Sequence, residues 1–184
     1  MKVDLATGWI MPSRHRLSPH CDNRPLDITI DMIVIHNISL PPGQFGTGAI
    51  EQFFCNTLDH SQHPFFSTIA SLRVSAHLLI DRAGALIQFV PFSKRAWHAG
   101  VSCFQERTHC NDFSIGIELE GVDDFPYEKQ QYETLAAVIH ALQLVYPAIT
   151  RDRMVGHSDI APNSKTDPGS AFDWDYLDQL LQRK

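Results

Sequence analysis

The sequence lacks the features that mark a secreted, membrane-bound or nucleic-acid-binding chain. None of its 184 residues belongs to an apolar run near the roughly 20 residues that a membrane span needs. The N-terminal segment MKVDLATGWIMPSRH has no apolar stretch long enough for a signal peptide. The net charge is −6, and no cluster of Lys and Arg offers the electrostatic footprint that nucleic acid or an anionic membrane requires. We therefore expect a cytoplasmic protein with no nucleic-acid partner and no membrane partner.

Cysteine pairs of the CxxC type are also absent, although the chain has four cysteines. Without a secretory signal we expect reduced thiols, and only a Cys103–Cys110 disulfide stays open as an alternative. No repeat or linker divides the chain, and 43 % hydrophobic against 20 % charged residues excludes wholesale disorder. We expect a single domain over residues 1–184 that is a monomer.

Hydrophobic patterns predict an α/β fold with one central mixed β-sheet flanked by helices. The continuous β-branched run at 32–35 predicts a strand that is buried on both faces. Residues 74–80 and 85–90 predict a hairpin, and residues 113–120 alternate between apolar and polar side chains. Strands interleaved with helices on one core indicate the α/β class.

Other segments complete this prediction. Apolar residues at helical spacing predict a long helix that ends before Pro147. The predicted segments are a short helix at 50–58, the long helix at 128–146, a closing helix near 173–182, a loop at 40–48, an ambiguous stretch at 59–73 and an irregular arm at 1–28.

Histidine is abundant, with ten residues, and this excess favours a metal site or an acid/base site. His36 lies where the buried strand gives way to a Gly/Pro-rich loop, which is where open α/β sheets place ligand sites. The alternative is a strand-end histidine bonded to the backbone, and the position alone does not exclude it.

Glu118 is the most informative single residue. It lies on the polar face of an otherwise apolar strand, two positions after Gly116, which clears space on the same face. A partly desolvated carboxylate there tends toward the raised pKa that suits a general acid or base. The alternative is a glutamate that faces solvent on an edge strand.

The segment 155–169 is rich in functional residue types and poor in apolar ones. If this loop folds back, His157 and Asp167 join His36 in a set of two histidines and one carboxylate, which leaves a fourth position open as catalytic zinc sites require. Lys165 then directs its ammonium group at charge that develops on a substrate oxygen. The alternative is a solvated surface loop, and spacing alone does not exclude it.

Further candidates are aromatic or basic. Trp97 and His98 precede a glycine turn and suit a sugar or peptide platform, but a buried tryptophan with a backbone-bonded histidine fits equally well. His77 lies inside a predicted strand and is more typical of a supporting histidine than of a ligand. Arg73 and Arg107 are candidate carboxylate clamps or ordinary surface charges.

Five segments together resemble one family. These are IVIHNISLPPG (33–43), VSAHLLI (74–80), KRAWHAGVS (94–102), CNDFSIGIELEG (110–121) and GHSDIAPNSKTDPG (156–169). They are similar, in order and over roughly residues 7–181, to the AmpD-type zinc N-acetylmuramoyl-L-alanine amidases, cytoplasmic enzymes of cell-wall recycling. The resemblance implies the amidase fold that peptidoglycan-recognition proteins share.

The resemblance also implies a role for individual residues. His36, His157 and Asp167 would hold one Zn²⁺, Glu118 would be the acid/base residue, and Lys165 would stabilise the oxyanion. The substrate would be a soluble anhydromuropeptide, cleaved between the lactyl group of N-acetylmuramic acid and L-alanine. The substrate-binding candidates are Asn37, Arg73, Trp97, His98, Arg107, His109 and Ala161, with His77 in a supporting role.

Related phage amidases and peptidoglycan-recognition proteins usually have Tyr before the strand histidine and Cys as the third zinc ligand. Here these positions are Ala76 and Asp167, which places the chain with the AmpD-type branch. His109 and Ser164 stand where related sequences often have Arg, so recognition of the peptide carboxylates departs from the family pattern.

Three functional classes follow. The zinc amidase is favoured over a module that binds muropeptides without cleaving them, because pure binding requires neither a metal nor a general base. A cysteine hydrolase based on Cys55 or Cys103 is the third class. A cysteine hydrolase predicts that thiol alkylation abolishes activity and that chelators leave it unchanged, whereas a zinc amidase predicts the reverse.

Overall fold

The fold is built on a six-stranded mixed sheet, seen in a computed structural model that describes residues 1–183. The strands are β1 (Lys2–Asp4), β2 (Trp9–Met11), β3 (Arg14–His15), β4 (Cys21–Asn23), β5 (Met32–Ile38), β6 (Leu78–Ile80), β7 (Leu86–Gln88), β8 (Lys94–Ala96), β9 (Cys103–Phe104), β10 (Arg107–Thr108), β11 (Ser114–Glu120) and β12 (Met154–Gly156). The helices are α1 (Ala49–Phe54), α2 (Pro64–Thr68), α3 (Lys129–Val145), α4 (His157–Ile160) and α5 (Trp174–Leu181). This arrangement confirms the predicted α/β class with helices flanking one mixed sheet.

The sheet has the strand order β12-β5-β11-β6-β7-β3. The first four strands are parallel to one another, β7 is antiparallel to β6, and β3 is parallel to β7. Because β5 and β11 lie in the interior of the sheet, both of their edges are paired with neighbouring strands. All seven residues of β11 are buried, so the alternative that Glu118 faces solvent on an edge strand is wrong.

The core lies on both faces of the sheet. Odd-numbered residues of β5 and β11, such as Ile35 and Ile117, pack against α3 and α5 in the largest hydrophobic cluster. Even-numbered residues face the other side, where Met32 and Val34 pack in a smaller cluster with Ile160 of α4. His36 and Glu118 follow the same alternation and therefore lie on the face opposite α3.

Several elements differ from the prediction. The arm at 1–28 contains four short strands, because its residues pair with each other, with β7 and with β8. The strands predicted at 74–80 and 85–90 are shorter in the structure, where only Leu78–Ile80 and Leu86–Gln88 form ladder pairs. The ambiguous stretch at 59–73 contains α2, which begins at Pro64, a residue suited to the first helical turn.

The predicted long helix and closing helix are confirmed, and their ends agree with the structure to within a few residues. α3 ends at Val145, just before Pro147, and α5 falls inside the predicted closing helix. No helix within residues 1–183 is both long and apolar enough to cross a membrane. The four cysteines are free thiols, so the Cys103–Cys110 disulfide does not form here.

Candidate active site

Three parallel strands deliver the candidate site at their carboxyl ends. His36 is the fifth of the seven residues of β5, Glu118 is the fifth of the seven residues of β11, and His157 follows β12 directly as the first residue of α4. In the register of β5 and β11, Glu118 pairs with His36. The carboxyl end of a parallel sheet is the usual place for a ligand in open α/β folds.

His36, His157 and Asp167 converge on one point. The Nδ1 atoms of the two histidines lie 3.0 Å apart, and the Oδ2 atom of Asp167 lies 3.0 Å from each of them. Both histidines are buried, and Asp167 is half-buried. Neither ring nitrogen of His36 bonds to a backbone group within residues 1–183, so the alternative of a backbone-bonded strand-end histidine is wrong.

The loop 155–169 folds back, which is the condition that the metal-site interpretation of the sequence required. α4 brings the chain away from the sheet, and the backbone N–H groups of Ser164 and Lys165 both donate to the carbonyl oxygen of Ala161. The N–H of Ser158 donates to the carbonyl of Asp167 at 3.0 Å, which ties the two ends of the loop together. The ten-residue separation of His157 and Asp167 is thereby closed into one cluster.

This donor set fits a divalent metal ion with an open position. Ligands at about 2.0–2.1 Å from a tetrahedral zinc ion lie about 3.3 Å from one another, close to the observed triangle. Burial lowers the pKa of His36 to about 4, so its imidazole is neutral and able to ligate at neutral pH. Burial acts to raise the pKa of Asp167, but the close contacts of its Oδ2 atom with His157 and His36 outweigh burial and hold that pKa well below its usual range.

Glu118 lies beside the cluster as a buried carboxyl group, with 8 % of its surface exposed. Its Oε2 atom is buried and has no hydrogen-bond partner within residues 1–183. Burial raises the pKa of Glu118 well above its ordinary value, the negative charge of Asp167 raises it further, and Lys165 opposes both. An orphaned carboxyl oxygen of raised pKa is suited to accept and return a proton.

Lys165 is exposed on the loop and makes no ion pair in the part of the chain that the structure describes. Its ammonium group is near enough to act electrostatically on both His36 and Glu118. It lines an open cavity of about 630 Å³ together with Asn37, Val122, Asp123, Asp124, Ser164, Thr166 and Asp167. The cavity therefore reaches from the surface to Asp167, one of the three candidate metal ligands.

Asn37, which the family resemblance implies as a substrate contact, lines this cavity. Its side-chain amide donates to the Oδ1 atom of Asp123 at 2.7 Å and to the carbonyl of Pro168 at 3.1 Å, which fixes its orientation. Asp123 and Asp124 were not predicted from the sequence, and no periodicity or motif singled them out. Both acidic residues make this end of the cavity polar.

The structure gives other predicted substrate residues different surroundings. Arg73 is exposed, and its guanidinium group donates to the carbonyls of Ala70 and Leu72. Arg107 donates to Asp31 at 2.6 Å and lies over the ring of Phe113, so its charge is already engaged. In this arrangement neither arginine lines the cavity beside Asp167.

The last four candidates, Trp97, His98, His109 and Ala161, differ in exposure. Trp97 is half-buried and stacks on His20, whereas His109 is exposed at a left-handed backbone position with φ 58°. Ala161 is buried and serves the loop through its carbonyl group. His98 was expected to bind substrate, but both of its ring nitrogens contact protein groups, His36 and Ser114.

Arg24 was missed in the sequence, and only part of the role of Gly116 was recognised there. Arg24 donates to the carbonyls of Phe92, Asn111, Asp112 and Ser114 and contacts His77, so it anchors the segments beneath the site. Gly116 makes room for His98 as well: a Cβ atom on it would lie 2.4 Å from Cγ of His98. A glycine in the middle of a buried strand is the signal for such a close approach.

Residues 26–170 match the Amidase_2 family, described as N-acetylmuramoyl-L-alanine amidase, and the chain belongs to this family. It is 58 % identical over 180 residues to the 1,6-anhydro-N-acetylmuramyl-L-alanine amidase AmpD of Escherichia coli K12, covering 98 % of each chain. A crystal structure of a selenomethionine AmpD derivative superposes with a TM-score of 0.94 at 54 % identity, covering 98 % of this chain and 99 % of that one. The E. coli amidase AmiD, solved with the substrate anhydro-N-acetylmuramic acid-L-Ala-D-γ-Glu-L-Lys, is 28 % identical with a TM-score of 0.59, covering 94 % and 60 %.

Proposed function

We propose that the protein is a zinc-dependent hydrolase that cleaves the amide bond between the lactyl group of 1,6-anhydro-N-acetylmuramic acid and L-alanine of the stem peptide. One observation carries this proposal. Three metal-binding atoms lie 3.0 Å apart beside a buried carboxyl group that has no partner within residues 1–183. A metal-assisted hydrolase needs this combination, whereas a protein that only binds its ligand does not.

His36, His157 and Asp167 are the residues that would hold zinc. Two imidazoles and one carboxylate are a ligand set of catalytic zinc sites, in which the fourth position is left for water or substrate. When bound, zinc supplies a Lewis acid for the carbonyl and lowers the pKa of a water molecule.

Glu118 is the proposed acid/base residue. It pairs with His36 across the two strands, so its carboxyl group stands next to the ligand cluster. As a carboxylate it takes a proton from the attacking water, and as a carboxylic acid it returns that proton to the amine of L-alanine as this group leaves. Burial favours the protonated form and therefore supports the second half of this cycle.

Lys165 is the proposed stabiliser of the tetrahedral oxyanion. Its side chain is exposed in the cavity and free of ion pairs in the described residues, so its charge is available to a substrate oxygen. A positive charge placed where negative charge develops lowers the barrier, and removing one such donor typically costs about 10²–10³ in rate.

The substrate assignment rests on the relatives and on the cavity. A relative of 58 % identity is named for 1,6-anhydro-N-acetylmuramyl-L-alanine, and AmiD was solved with an anhydromuropeptide. The cavity is open and polar, as a sugar-peptide requires, and Asn37 offers an oriented amide at its wall. Five residues stay proposed substrate contacts: Trp97, His109, Ala161, Arg73 and Arg107. The two arginines can contact substrate only after their side chains leave their present partners.

We also propose that one copy of the chain, a single domain, acts alone on soluble fragments in the cytoplasm. All the proposed metal ligands, His36, His157 and Asp167, already come together within one chain. The free thiols agree with a reducing compartment.

The cysteine hydrolase is disfavoured by the surroundings of its nucleophiles. Burial raises the pKa of the half-buried Cys55 thiol, which opposes thiolate formation. Within residues 1–183, neither Cys55 nor Cys103 has a hydrogen bond to a histidine, which a Cys–His pair requires.

The test is digestion of two matched substrates, the anhydro and the reducing form of N-acetylmuramoyl-tripeptide, followed by mass spectrometry. We expect release of intact tripeptide from the anhydro form. Cleavage within the peptide would refute the bond assignment, and cleavage of the reducing form alone would refute the anhydro preference. Intact substrates with zinc present would support the muropeptide-binding alternative.

A further inference from the structure

The ring of His98 lies directly behind His36, on the side away from the candidate metal site. Its Nδ1 atom is 2.9 Å from Nε2 of His36, and the two rings meet edge to face with centroids 5.0 Å apart. Its Nε2 atom is 3.1 Å from the hydroxyl oxygen of Ser114. His98 is buried, and the missing side chain of Gly116 provides the space for its ring.

The proton positions in this chain of contacts follow from counting donors. The hydroxyl of Ser114 has one proton and donates it to the carbonyl of Cys110 at 2.6 Å. It can then only accept from His98, so the Nε2 atom of His98 carries a proton. No carboxylate bonds to the His98 ring in residues 1–183, so the buried ring keeps one proton, and its Nδ1 atom is an acceptor.

The same count extends to the ligand cluster. Because Nδ1 of His98 accepts, Nε2 of His36 donates to it, and Nδ1 of His36 is left with a free lone pair. His157 has the same tautomer, because its Nε2 atom donates to the carbonyl of Ala99 at 3.3 Å and its Nδ1 atom is left without a proton. Two imidazole lone pairs and a carboxylate oxygen thus meet in a triangle with no proton among them, an arrangement that a cation stabilises.

We propose that His98, locked by Ser114, is a positioning residue that fixes His36 as the tautomer whose Nδ1 atom faces the metal. This inference rests on the proposed zinc site and deepens it. Metal-bound histidines usually donate their second N–H to a carboxylate, a carbonyl or water. Here a neutral imidazole and a neutral hydroxyl take that place, so the only negative charge among the ligands is that of Asp167.

Two substitutions of His98 separate hydrogen bonding from packing. In His98→Asn the amide oxygen occupies nearly the position of Nδ1 and still accepts from His36, whereas His98→Leu fills similar space without an acceptor. We expect His98→Leu to weaken zinc affinity about 10–100-fold, the usual effect of losing a partner of a metal-bound histidine. His98→Asn should restore most of that affinity, measured by competition with a chromophoric chelator.

A matched serine pair keeps the test informative if His98→Leu does not fold. Ser75 resembles Ser114 closely: it is buried, donates to the carbonyl of His20 at 2.6 Å and accepts from the N–H of Trp97 at 3.1 Å. Ser114→Ala should weaken zinc affinity and Ser75→Ala should not, although each variant loses two buried hydrogen bonds, one donated and one accepted.

Nitrogen NMR of histidine-labelled, zinc-loaded protein reads the tautomers directly. We expect a protonated Nε2 and an unprotonated Nδ1 in His98. A proton on Nδ1 of His98, or equal zinc affinity in His98→Leu and the parent, would overturn the inference and leave the proposed function intact. If the parent itself binds no zinc, the proposed function fails and this inference fails with it.

Discussion

His36 and Glu118 stand opposite each other in the register of two adjacent parallel strands. Their side chains therefore leave the same face of the sheet at the same height, one toward the ligand cluster and one beside it. Because both strands are buried in the interior of the sheet, neither side chain can shift without disturbing the core. The distance between a proposed metal ligand and the proposed base is thus set by backbone pairing.

Glu118→Gln should abolish most turnover while the fold and zinc content stay unchanged. The amide has the same shape but cannot take a proton from water, and general acid/base residues typically contribute about 10²–10⁴ in rate. Steady-state kinetics and metal analysis of the purified variant check this. Glu120→Gln is the matched control on the same strand, because within residues 1–183 the Glu120 carboxylate accepts only from the backbone N–H groups of Gly46 and Arg82. Normal turnover by Glu118→Gln would contradict the base assignment.

The same substitution should change how stability depends on pH in metal-free protein. The raised pKa of Glu118 means that the folded state binds this proton more tightly than the unfolded chain. Its contribution favours folding below the ordinary value of 4.5 and is lost as the pH rises through the raised folded-state pKa.

Glu118→Gln should therefore be more stable than the parent at high pH and similar to it at low pH. We expect the Tm of Glu118→Gln to exceed that of the parent by a margin that grows as the pH rises above 4.5, and each 1 kcal/mol of difference corresponds to about 2–4 °C in Tm at this chain length. Thermal unfolding of both proteins in chelator, followed by circular dichroism, measures it. A difference that stays constant with pH would show that Glu118 has an ordinary pKa.

Asp167→Asn should lose zinc while the fold stays intact. The substitution removes the charge that offsets the metal ion but keeps the shape of the loop, whose backbone bonds do not involve this side chain. The core does not depend on the metal, so the apo protein should remain folded with a lower Tm. Asp124→Asn, exposed in the same cavity, is the control and should keep its zinc. Full occupancy in Asp167→Asn would exclude this residue as a ligand.

Lys165→Met should lower kcat about 10²–10³-fold with zinc content unchanged, because the lost charge stabilises the transition state more than the bound substrate. Lys129→Met, an exposed lysine on the first turn of α3, tests for a general effect of lost charge and should retain activity. An increase in KM alone would assign Lys165 to substrate binding.

Much of the fold and of the site could be predicted because short sequence patterns and motifs indicate them. The run at 32–35 predicts a buried strand, and the structure has β5 with neighbours on both sides. The family resemblance brought together His36, His157 and Asp167, which are up to 131 positions apart, and the structure clusters them. Neither periodicity nor spacing alone could have shown that the loop 155–169 folds back.

Other features depend on contacts that no local pattern encodes. Arg24 lies in a segment predicted to be irregular, yet its partners are carbonyl groups 68 to 90 positions away. His98 was interpreted as a substrate contact because its motif borders a glycine turn. Its burial behind His36 depends on Gly116, whose missing side chain was credited only with making space for Glu118. In both cases, contacts between segments far apart in the sequence determine where the side chain lies.

The most direct test of the account is metal-dependent cleavage of 1,6-anhydro-N-acetylmuramoyl-tripeptide, followed by mass spectrometry. One sample is stripped with chelator, a second is stripped and restored with zinc, and a third is treated with a thiol-alkylating reagent. We predict that tripeptide release is lost in the first, regained in the second and unaffected in the third. Cleavage that persists without metal, or that alkylation abolishes, would contradict the proposed zinc amidase.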